Sequence, residues 1–351
     1  MTSRRDILKG GAVGLTAGVA GCLSTGNDDG GDTEANIGLV YGRGGTGDQS
    51  FNDAAHSGIE QAVEEFDISY DDAGPQSSVD FGEFQRQYAR SDDPGYDLVI
   101  CVGFEQVSPL QDHADQYADQ QWALLDDVVD RPNVENWVYA EEHGAYMAGE
   151  VAATLSSMEF SAGGGATDPD EKTLGFIGGA EVPVVQAFEA GFRAGAHAVD
   201  DEFEVRSSYV GGFDSPGDVE EAAISMIDSG ADVLLHGAGA GGSGMFEACQ
   251  SRGRFALGVD SRQSESAPEF SDVILGSIVK AIDKSVLQAV ERIIEDEYEG
   301  GETFELGVGD DGIELFWGVD IGDNIPQDIR DGADVTAARI ADGDIDVPST
   351  P

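Results

Sequence analysis

Short apolar runs that alternate with longer amphipathic stretches are the feature that most limits how this chain can fold. Each run is a few residues long and bounded by Gly or Asp, a pattern typical of buried parallel strands. The runs lie at residues 37–41, 98–102, 122–125, 174–177, 233–235, 255–259 and 273–278. Apolar residues at helical spacing predict helices over 53–66, 143–158, 184–199, 219–229 and 277–296. Strands and helices in this order predict an α/β protein with parallel sheets flanked by helices.

A loop-like segment at residues 160–172, with three consecutive glycines and a proline, divides the chain. One series of strands and helices precedes it and another follows, so we expect two α/β lobes. The first lobe is expected to contain residues 36–142, joined by about 276–300. The second is expected to contain residues 143–275, completed by about 301–351. A small ligand is expected beyond the carboxyl ends of the strands, in the cleft between the lobes.

The first 22 residues have the layout of an export signal. The pair Arg4 and Arg5 precedes a short, Gly-rich apolar stretch that ends in Val-Ala-Gly before Cys22. The arginine pair indicates the twin-arginine route, and the last four residues resemble a lipobox in which Cys22 is lipidated. We therefore expect a signal at residues 1–21, a flexible tether at 22–35, and a lipid anchor at the extracytoplasmic face of the membrane. The alternative is an ordinary buried helix, which the many glycines disfavour.

The charge of the chain excludes one class of partner and indicates a solvent. There are 18 Lys plus Arg against 69 Asp plus Glu, a formal net charge of −51, and no basic block that could bind nucleic acid. The acids are spread over loops and helix faces, whereas a surface that binds or mimics a polyanion would concentrate them in blocks. Dispersed carboxylates with few lysines suit a protein that stays soluble in molar salt, where the Debye length is about 3 Å. We interpret the charge as halophilic adaptation.

The reactive residues indicate neither catalysis nor a metal site. The five histidines do not fall at metal-ligand spacings. Cys101 and Cys249 lie on a predicted strand and a predicted helix, where cysteine is usually a small buried apolar residue. The sequence contains neither G-x-S-x-G nor G-x-x-x-x-G-K-[ST]. We expect no catalytic residues, no metal and no cofactor.

A glycine motif after the first strand keeps one enzymatic alternative open. Residues 42–47 match G-x-G-x-x-G, the fingerprint of dinucleotide-binding folds. Asp48 follows directly, and its carboxylate would repel a phosphate at close range. An exported dinucleotide-binding oxidoreductase with a nicotinamide or flavin cofactor is therefore the alternative.

Polar residues near the start of the first helix are the better candidates for binding a ligand. Asp48 and Asn52 are four residues apart, so both can face the cleft, and Phe51 lies between them with a ring available for stacking. The alternative is that Asp48 or Ser50 only caps the helix.

The same residues carry a family resemblance. Residues 48–52 read D-Q-S-F-N, and Gly58 follows six residues later. This resembles the D-x-S-F-N…G opening of the basic membrane protein family, the lipoprotein substrate-binding components of ABC transporters that are similar to purine nucleoside receptors. The resemblance extends from residue 36 to about 320, and its further segments lie at 97–104, 142–149, 175–192 and 258–280.

The resemblance implies a two-lobed type I periplasmic-binding-protein fold that closes on a nucleoside in the interlobe cleft. In it, Phe51 and Phe188 would sandwich the purine ring, and Asp48 and Asn52 would hydrogen-bond the ring from the first lobe. Aromatic stacking and a few aimed polar groups suit a neutral heterocycle joined to a sugar. Because Phe188 also has apolar neighbours at helical spacing, packing in the core is its alternative role.

The resemblance also implies that Asp260 and Lys280 hold the ribose hydroxyls. A buried Asp260 needs a partner, and Lys280 is a natural one. We expect Lys280 near the start of a long helix, where the helix dipole disfavours a cation, so a functional role is favoured over an exposed lysine. Phe104 and Asp126 each follow a predicted strand and are secondary candidates. Arg262 stands where the family usually has an acid, which leaves the exact ligand open.

These observations together predict a lipid-anchored substrate-binding protein of an ABC importer. It would bind a nucleoside, with a purine nucleoside as the favoured ligand, and would present its closed form to a permease. A small-ligand chemoreceptor of the same fold is the alternative to a role in uptake.

Overall fold

The computed structural model describes residues 33–351. The predicted signal, Cys22 and most of the predicted tether therefore lie outside the described residues. Within residues 33–351, no helix combines the length and the apolar character needed to cross a bilayer.

Strands and helices alternate along most of the described chain. The strands are β1 (Ala35–Val40), β2 (Ile68–Ala73), β3 (Leu98–Val102), β4 (Gln121–Leu125), β5 (Val134–Tyr139), β6 (Ser161–Ala162), β7 (Gly165–Ala166), β8 (Thr173–Gly178), β9 (Glu204–Tyr209), β10 (Val233–Gly237), β11 (Phe255–Asp260), β12 (Ile274–Lys280), β13 (Thr303–Leu306) and β14 (Ile313–Trp317). The helices are α1 (Phe51–Glu65), α2 (Ser78–Ala89), α3 (Val107–Gln116), α4 (Glu141–Ser156), α5 (Pro183–Val199), α6 (Pro216–Ile227), α7 (Gly242–Arg252), α8 (Gln263–Ser266), α9 (Ile282–Ile294) and α10 (Gln327–Ala341).

Twelve of these strands form two six-stranded sheets, one in each lobe, and β6 and β7 pair separately as a two-stranded antiparallel sheet. The first sheet has the order β13-β5-β4-β3-β1-β2, and all its strands are parallel. The second has the order β14-β12-β11-β10-β8-β9, in which β14 alone is antiparallel to its neighbour. Inner strands such as β3 are buried at every residue, as expected for parallel strands covered on both faces. The prediction of two α/β lobes is confirmed.

The chain crosses between the two sheets at three places that lie together. The crossings follow β5, β12 and β13, at residues 140, 281 and 307–312. The backbone N–H of Ala140 donates to Leu306 O at 3.0 Å, and that of Ala281 donates to Gly312 O at 2.9 Å. These hydrogen bonds join the three crossings side by side, so they form a common hinge between the lobes.

The sheets divide the end of the chain differently from the boundaries that the sequence predicts. β13 lies in the first sheet, where Thr303 stands opposite Asn136 of β5, although residues 301–351 are expected in the second lobe. β12 lies in the second sheet, although residues from 276 onward are expected in the first lobe. The difference arises because each crossing is only a few residues long, so short strands at either edge can belong to opposite lobes.

The helix predicted to begin at Ser277 begins instead at Ile282. Ser277 to Lys280 continue β12, paired with β11 on one side and with β14 on the other. A segment with strands on both sides gains hydrogen bonds along both edges, and this outweighs the four-residue apolar spacing that favours a helix. Lys280 is therefore the last residue of a strand at the hinge.

Candidate ligand-binding site

A cavity of about 460 Å³ lies between the lobes, at the carboxyl ends of their parallel strands. Loops that follow β1, β3 and β4 line it from the first lobe, and loops that follow β8 to β11 line it from the second. The wall includes every side chain predicted to bind a ligand: Asp48, Phe51, Asn52, Phe104, Asp126, Phe188, Asp260 and Lys280.

Asp48 caps helix α1 and also faces the cavity. Its carboxylate accepts hydrogen bonds from the backbone N–H groups of Ser50 (3.0 Å), Asn52 (2.9 Å) and Asp53 (3.2 Å). Burial raises the pKa of Asp48, while these hydrogen bonds act in the opposite direction. The capping role is therefore present, and it fixes the carboxylate at the cavity wall.

Asn52 is held by the loop that precedes the helix. Its Oδ1 accepts from the backbone N–H of Gly42 at 2.8 Å, and the side chain is buried. Because Oδ1 is engaged, the Nδ2 group of Asn52 is the part that can donate to a ligand.

Two aromatic rings, one from each lobe, lie close to the same cation. The Nζ of Lys280 is 5.4 Å from the ring centroid of Phe51 and 5.6 Å from that of Phe188. Phe51 is the first residue of α1, and Phe188 lies on α5. Both rings line the cavity, so Phe188 packs in the second lobe and still presents a surface to a ligand.

Lys280 is buried among carboxylates at the hinge. Its Nζ lies 2.5 Å from Asp126 Oδ1 and 2.7 Å from Glu141 Oε1, and the side chain is 2% exposed. Burial lowers the pKa of Lys280, but Asp126 and Glu141 outweigh it, so the pKa is raised and the amine stays charged. The ion pair that the sequence predicts with Asp260 is replaced by these two partners, because both follow first-lobe strands that end beside the crossing.

Asp260 ends β11 with a φ of 65° and reaches across the cleft. The Ser50 hydroxyl of the first lobe donates to Asp260 Oδ2 at 2.6 Å. Burial raises the pKa of Asp260 to about 6, with Lys280 and the Ser50 hydroxyl opposing the shift. Three carboxylates, those of Asp126, Glu141 and Asp260, therefore lie around the single amine of Lys280.

Three contributors are absent from the sequence-based prediction. Glu141 follows the first crossing, and burial raises its pKa despite the ion pair with Lys280. Ser50 provides the interlobe hydrogen bond to Asp260. Phe213 meets Phe104 edge-on across the cleft, with ring centroids 5.9 Å apart. The signal for Ser50 is its place inside D-Q-S-F-N, whereas Glu141 resembles an ordinary acid in a first helical turn.

The glycine motif forms an extended loop and not the opening of a helix. Gly44, Gly45 and Gly47 all have positive φ, and α1 begins only at Phe51. The backbone N–H groups at the start of α1 are directed to the Asp48 carboxylate. A dinucleotide fold needs those groups for a pyrophosphate, so the geometry disfavours the dinucleotide alternative.

Two α/β lobes that share a hinge and enclose a ligand-sized cavity define the two-lobed type I periplasmic-binding-protein fold. The fold is shared with an ABC transporter solute-binding protein from Aeropyrum pernix K1, with a TM-score of 0.79 and 23% identity over 90% of this chain and 93% of that one. A second such protein, from Conexibacter woesei, gives a TM-score of 0.69 and 24% identity over 90% of this chain and 99% of that one.

The chain belongs to the Bmp family, described as PnrA-like ABC transporter substrate-binding proteins, which matches residues 35–331. This confirms the resemblance to the basic membrane proteins. A relative from Lactococcus lactis, named ABC transporter nucleoside-binding protein BmpA, is 27% identical over 96% of this chain and 97% of its own. An uncharacterized lipoprotein from Pyrococcus abyssi is 30% identical over 87% of this chain and 75% of its own. The family consists of substrate-binding proteins rather than enzymes, and these names imply an extracytoplasmic location.

Proposed function

We propose that this protein is the lipid-anchored, nucleoside-binding component of an ABC importer, and that its ligand is a purine nucleoside. The observation that carries the proposal is the pair of rings, Phe51 and Phe188, contributed by opposite lobes to one cavity. A flat heterocycle gains stacking on both faces only where two rings approach from opposite sides. The name of the Lactococcus lactis relative, a nucleoside-binding protein, supports a nucleoside as the ligand.

The polar groups of the cavity suit the rest of such a ligand. Asn52 offers amide hydrogens and Asp48 offers carboxylate oxygens to the edge of the base. Asp260 in its ionised form accepts from two neighbouring sugar hydroxyls, and Lys280 donates to a sugar oxygen. Asp126 holds Lys280 in place and is a second acceptor at the inner end of the cavity. Phe104, with Phe213, narrows the cavity further out.

Capture couples ligand contact to the closing of the lobes. The ligand contacts from both lobes form together only in the closed arrangement, so the ligand shifts the population toward that arrangement. Lys280 belongs to the hinge and to the cavity wall, so contact with the ligand acts directly on a crossing strand. The closed surface is what the permease would recognise, and lipidation of Cys22 would keep the protein beside it at the extracytoplasmic face.

A thermal-shift panel tests the proposal. The full chain with Cys22→Ser, which leaves no lipid attached, is melted in molar KCl with inosine, guanosine, adenosine, pyrimidine nucleosides, free bases, ribose, amino acids and NAD. A ligand at a thousandfold excess over its dissociation constant stabilises the folded state by about 4 kcal/mol, a shift that is easily measured. Purine nucleosides should give the largest shift. A shift with NAD alone, or with amino acids alone, would contradict the proposal.

A further inference from the structure

The loop between β1 and α1 places one backbone carbonyl against the second lobe. Gln49 has a φ of 53°, a left-handed conformation that residues with a β-carbon seldom adopt. Its own lobe holds it there, because the Asp53 carboxylate accepts from the backbone N–H groups of Gln49 at 2.8 Å and Gly47 at 2.6 Å. The hydrogen bonds of Asp53 to these N–H groups thus maintain the unusual conformation of Gln49, and the carbonyl group of Gln49 faces the other lobe.

Side chains from the segment after β11 bind this carbonyl across the cleft. Gln49 O accepts from Ser261 Oγ at 2.8 Å and from Ser266 Oγ at 3.3 Å, and Gln263 Nε2 lies 3.5 Å away. A carbonyl oxygen has two lone pairs, so the two serine hydroxyls are its main donors. We call Gln49, Ser261 and Ser266 the interlobe clasp.

The second-lobe half of the clasp is rigid without any ligand. Gln263 Oε1 accepts from the backbone N–H of Val259 at 2.9 Å and is paired with His236 Nε2 at 2.8 Å. The backbone N–H of Gln263 donates to Ser277 Oγ at 3.1 Å. These bonds fix the turn that carries both serines, so little conformational entropy is lost when the clasp forms.

The clasp lies beside the cavity without forming part of its wall. Asp48 and Asp260 line the cavity, and each is the immediate neighbour of a clasp residue. We propose that Ser261 and Ser266 are positioning residues for ligand capture, which bind the Gln49 carbonyl only when the lobes are closed and so stabilise the closed arrangement. The inference rests on the proposed function, since it concerns the closing motion that captures the ligand.

The test compares Ser261→Ala/Ser266→Ala with the wild type, both in the Cys22→Ser full chain in molar KCl. Titration calorimetry and stopped flow with inosine, guanosine and adenosine should give about tenfold weaker binding through faster dissociation, as two hydrogen bonds of ordinary strength predict. Ser251→Ala is the matched control, because the Ser251 hydroxyl donates to Ala248 O within α7. Replacing the alanine at position 261 of the double variant with threonine, to give Ser261→Thr/Ser266→Ala, returns a hydroxyl and should restore most of the lost affinity.

A measurement without ligand separates this inference from the proposed function. Spin labels at the exposed positions Val79→Cys on α2 and Ser225→Cys on α6 report the distance between the lobes. The double variant should populate longer distances than the wild type, even if no nucleoside binds. The inference is overturned if the double variant matches the wild type in the distance distribution and in every affinity. Failure of all three nucleosides to bind the wild type, with a lengthened distance in the variant, would instead reject the proposed ligand and leave the clasp supported.

Discussion

Two extended contacts of the molecule are built in opposite ways. One joins helices α4 and α5, and the other is the interlobe cleft. Along α4 and α5, Gly149, Gly191 and Gly195 let the helix backbones touch, and a β-carbon on any of them would overlap a backbone oxygen of the facing helix. Backbone atoms at such a contact cannot rotate away, so the two helices are fixed against each other. The contact has no room for a ligand.

The cleft is joined by side chains around an open volume of about 460 Å³. The hydrogen bond from Ser50 to Asp260 and the ion pair of Lys280 with Asp126 join the two lobes. Such contacts can break and form again without disrupting either sheet. From this difference we infer that the second lobe is a rigid body whose fixed packing lies behind the cleft. Motion and binding belong to the hinge and to the polar cleft.

The largest effect is expected from a methyl group placed in the rigid contact. Gly195→Ala should reduce the free energy of unfolding by about 3 kcal/mol, because overpacking against a backbone oxygen outweighs the gain in helix propensity of about 1 kcal/mol. Urea unfolding in molar KCl measures this. Gly332→Ala on α10 is the matched control: its β-carbon meets nothing within 4 Å, so it should be neutral or slightly stabilising. Equal stability of the two variants would show that the α4–α5 contact can yield.

A smaller effect, on binding rather than folding, is expected from a ring of the cleft. Phe188→Ala removes one of the two stacking surfaces and should weaken nucleoside binding about 30-fold, or roughly 2 kcal/mol. Phe304→Ala provides the comparison, since Phe304 stacks on Trp137 in the first lobe with ring centroids 4.3 Å apart. Calorimetry should show weaker binding for Phe188→Ala and unchanged affinity for Phe304→Ala. Unchanged affinity in Phe188→Ala together with weaker binding in Phe304→Ala would mean that the ligand does not contact Phe188.

The smallest effect is expected from a change of pH. It should alter ligand binding in the cleft and leave the contact between α4 and α5 unaffected. The pKa of Asp260 is raised to about 6 in the free protein, and a ligand that donates to the ionised carboxylate lowers it. Affinity should therefore fall about tenfold between about pH 7, where most of the free Asp260 is ionised, and pH 5, where most of it is protonated. Calorimetry across this range measures the change. Binding that strengthens as the pH falls would mean that Asp260 acts in its protonated form.

The sequence predicts the inner strands of both sheets except β5, and it misses the edge strands. β2, β9, β13 and β14 lie at the sheet edges, where one side is open and polar residues are tolerated, so their apolar pattern is weak. β5 is an inner strand, but it contains the buried Glu135, whose charge is paired with Arg292 of α9 at 3.0 Å. A pattern of apolar residues cannot reveal a buried ion pair between segments that are distant in sequence.

The site residues that follow strands are predictable because parallel strands end at a common edge. Asp48, Phe104 and Asp126 follow strands, Asp260 is the last residue of one, and all four line the cavity. The partners of Lys280 are not predictable in the same way, because they depend on which strand carries the chain across the hinge. The family resemblance and the cost of burying an unpaired carboxylate predict Asp260 as the partner of Lys280. The position of Lys280 at the end of β12 gives it Asp126 and Glu141 instead.

The proposed site depends above all on the contact between Asp260 and the ligand, and this contact can be tested with a pair of matched substitutions. Asp232 is also buried, has a pKa raised to about 6 by burial, and accepts from Ser156 Oγ at 2.5 Å. It directly precedes β10, at the opposite end of that strand from the cavity, and is not part of the cavity wall. Calorimetry with inosine, guanosine and adenosine compares Asp260→Asn with Asp232→Asn. We expect about hundredfold weaker binding for Asp260→Asn and wild-type affinity for Asp232→Asn. Wild-type affinity in Asp260→Asn would contradict the proposed contact.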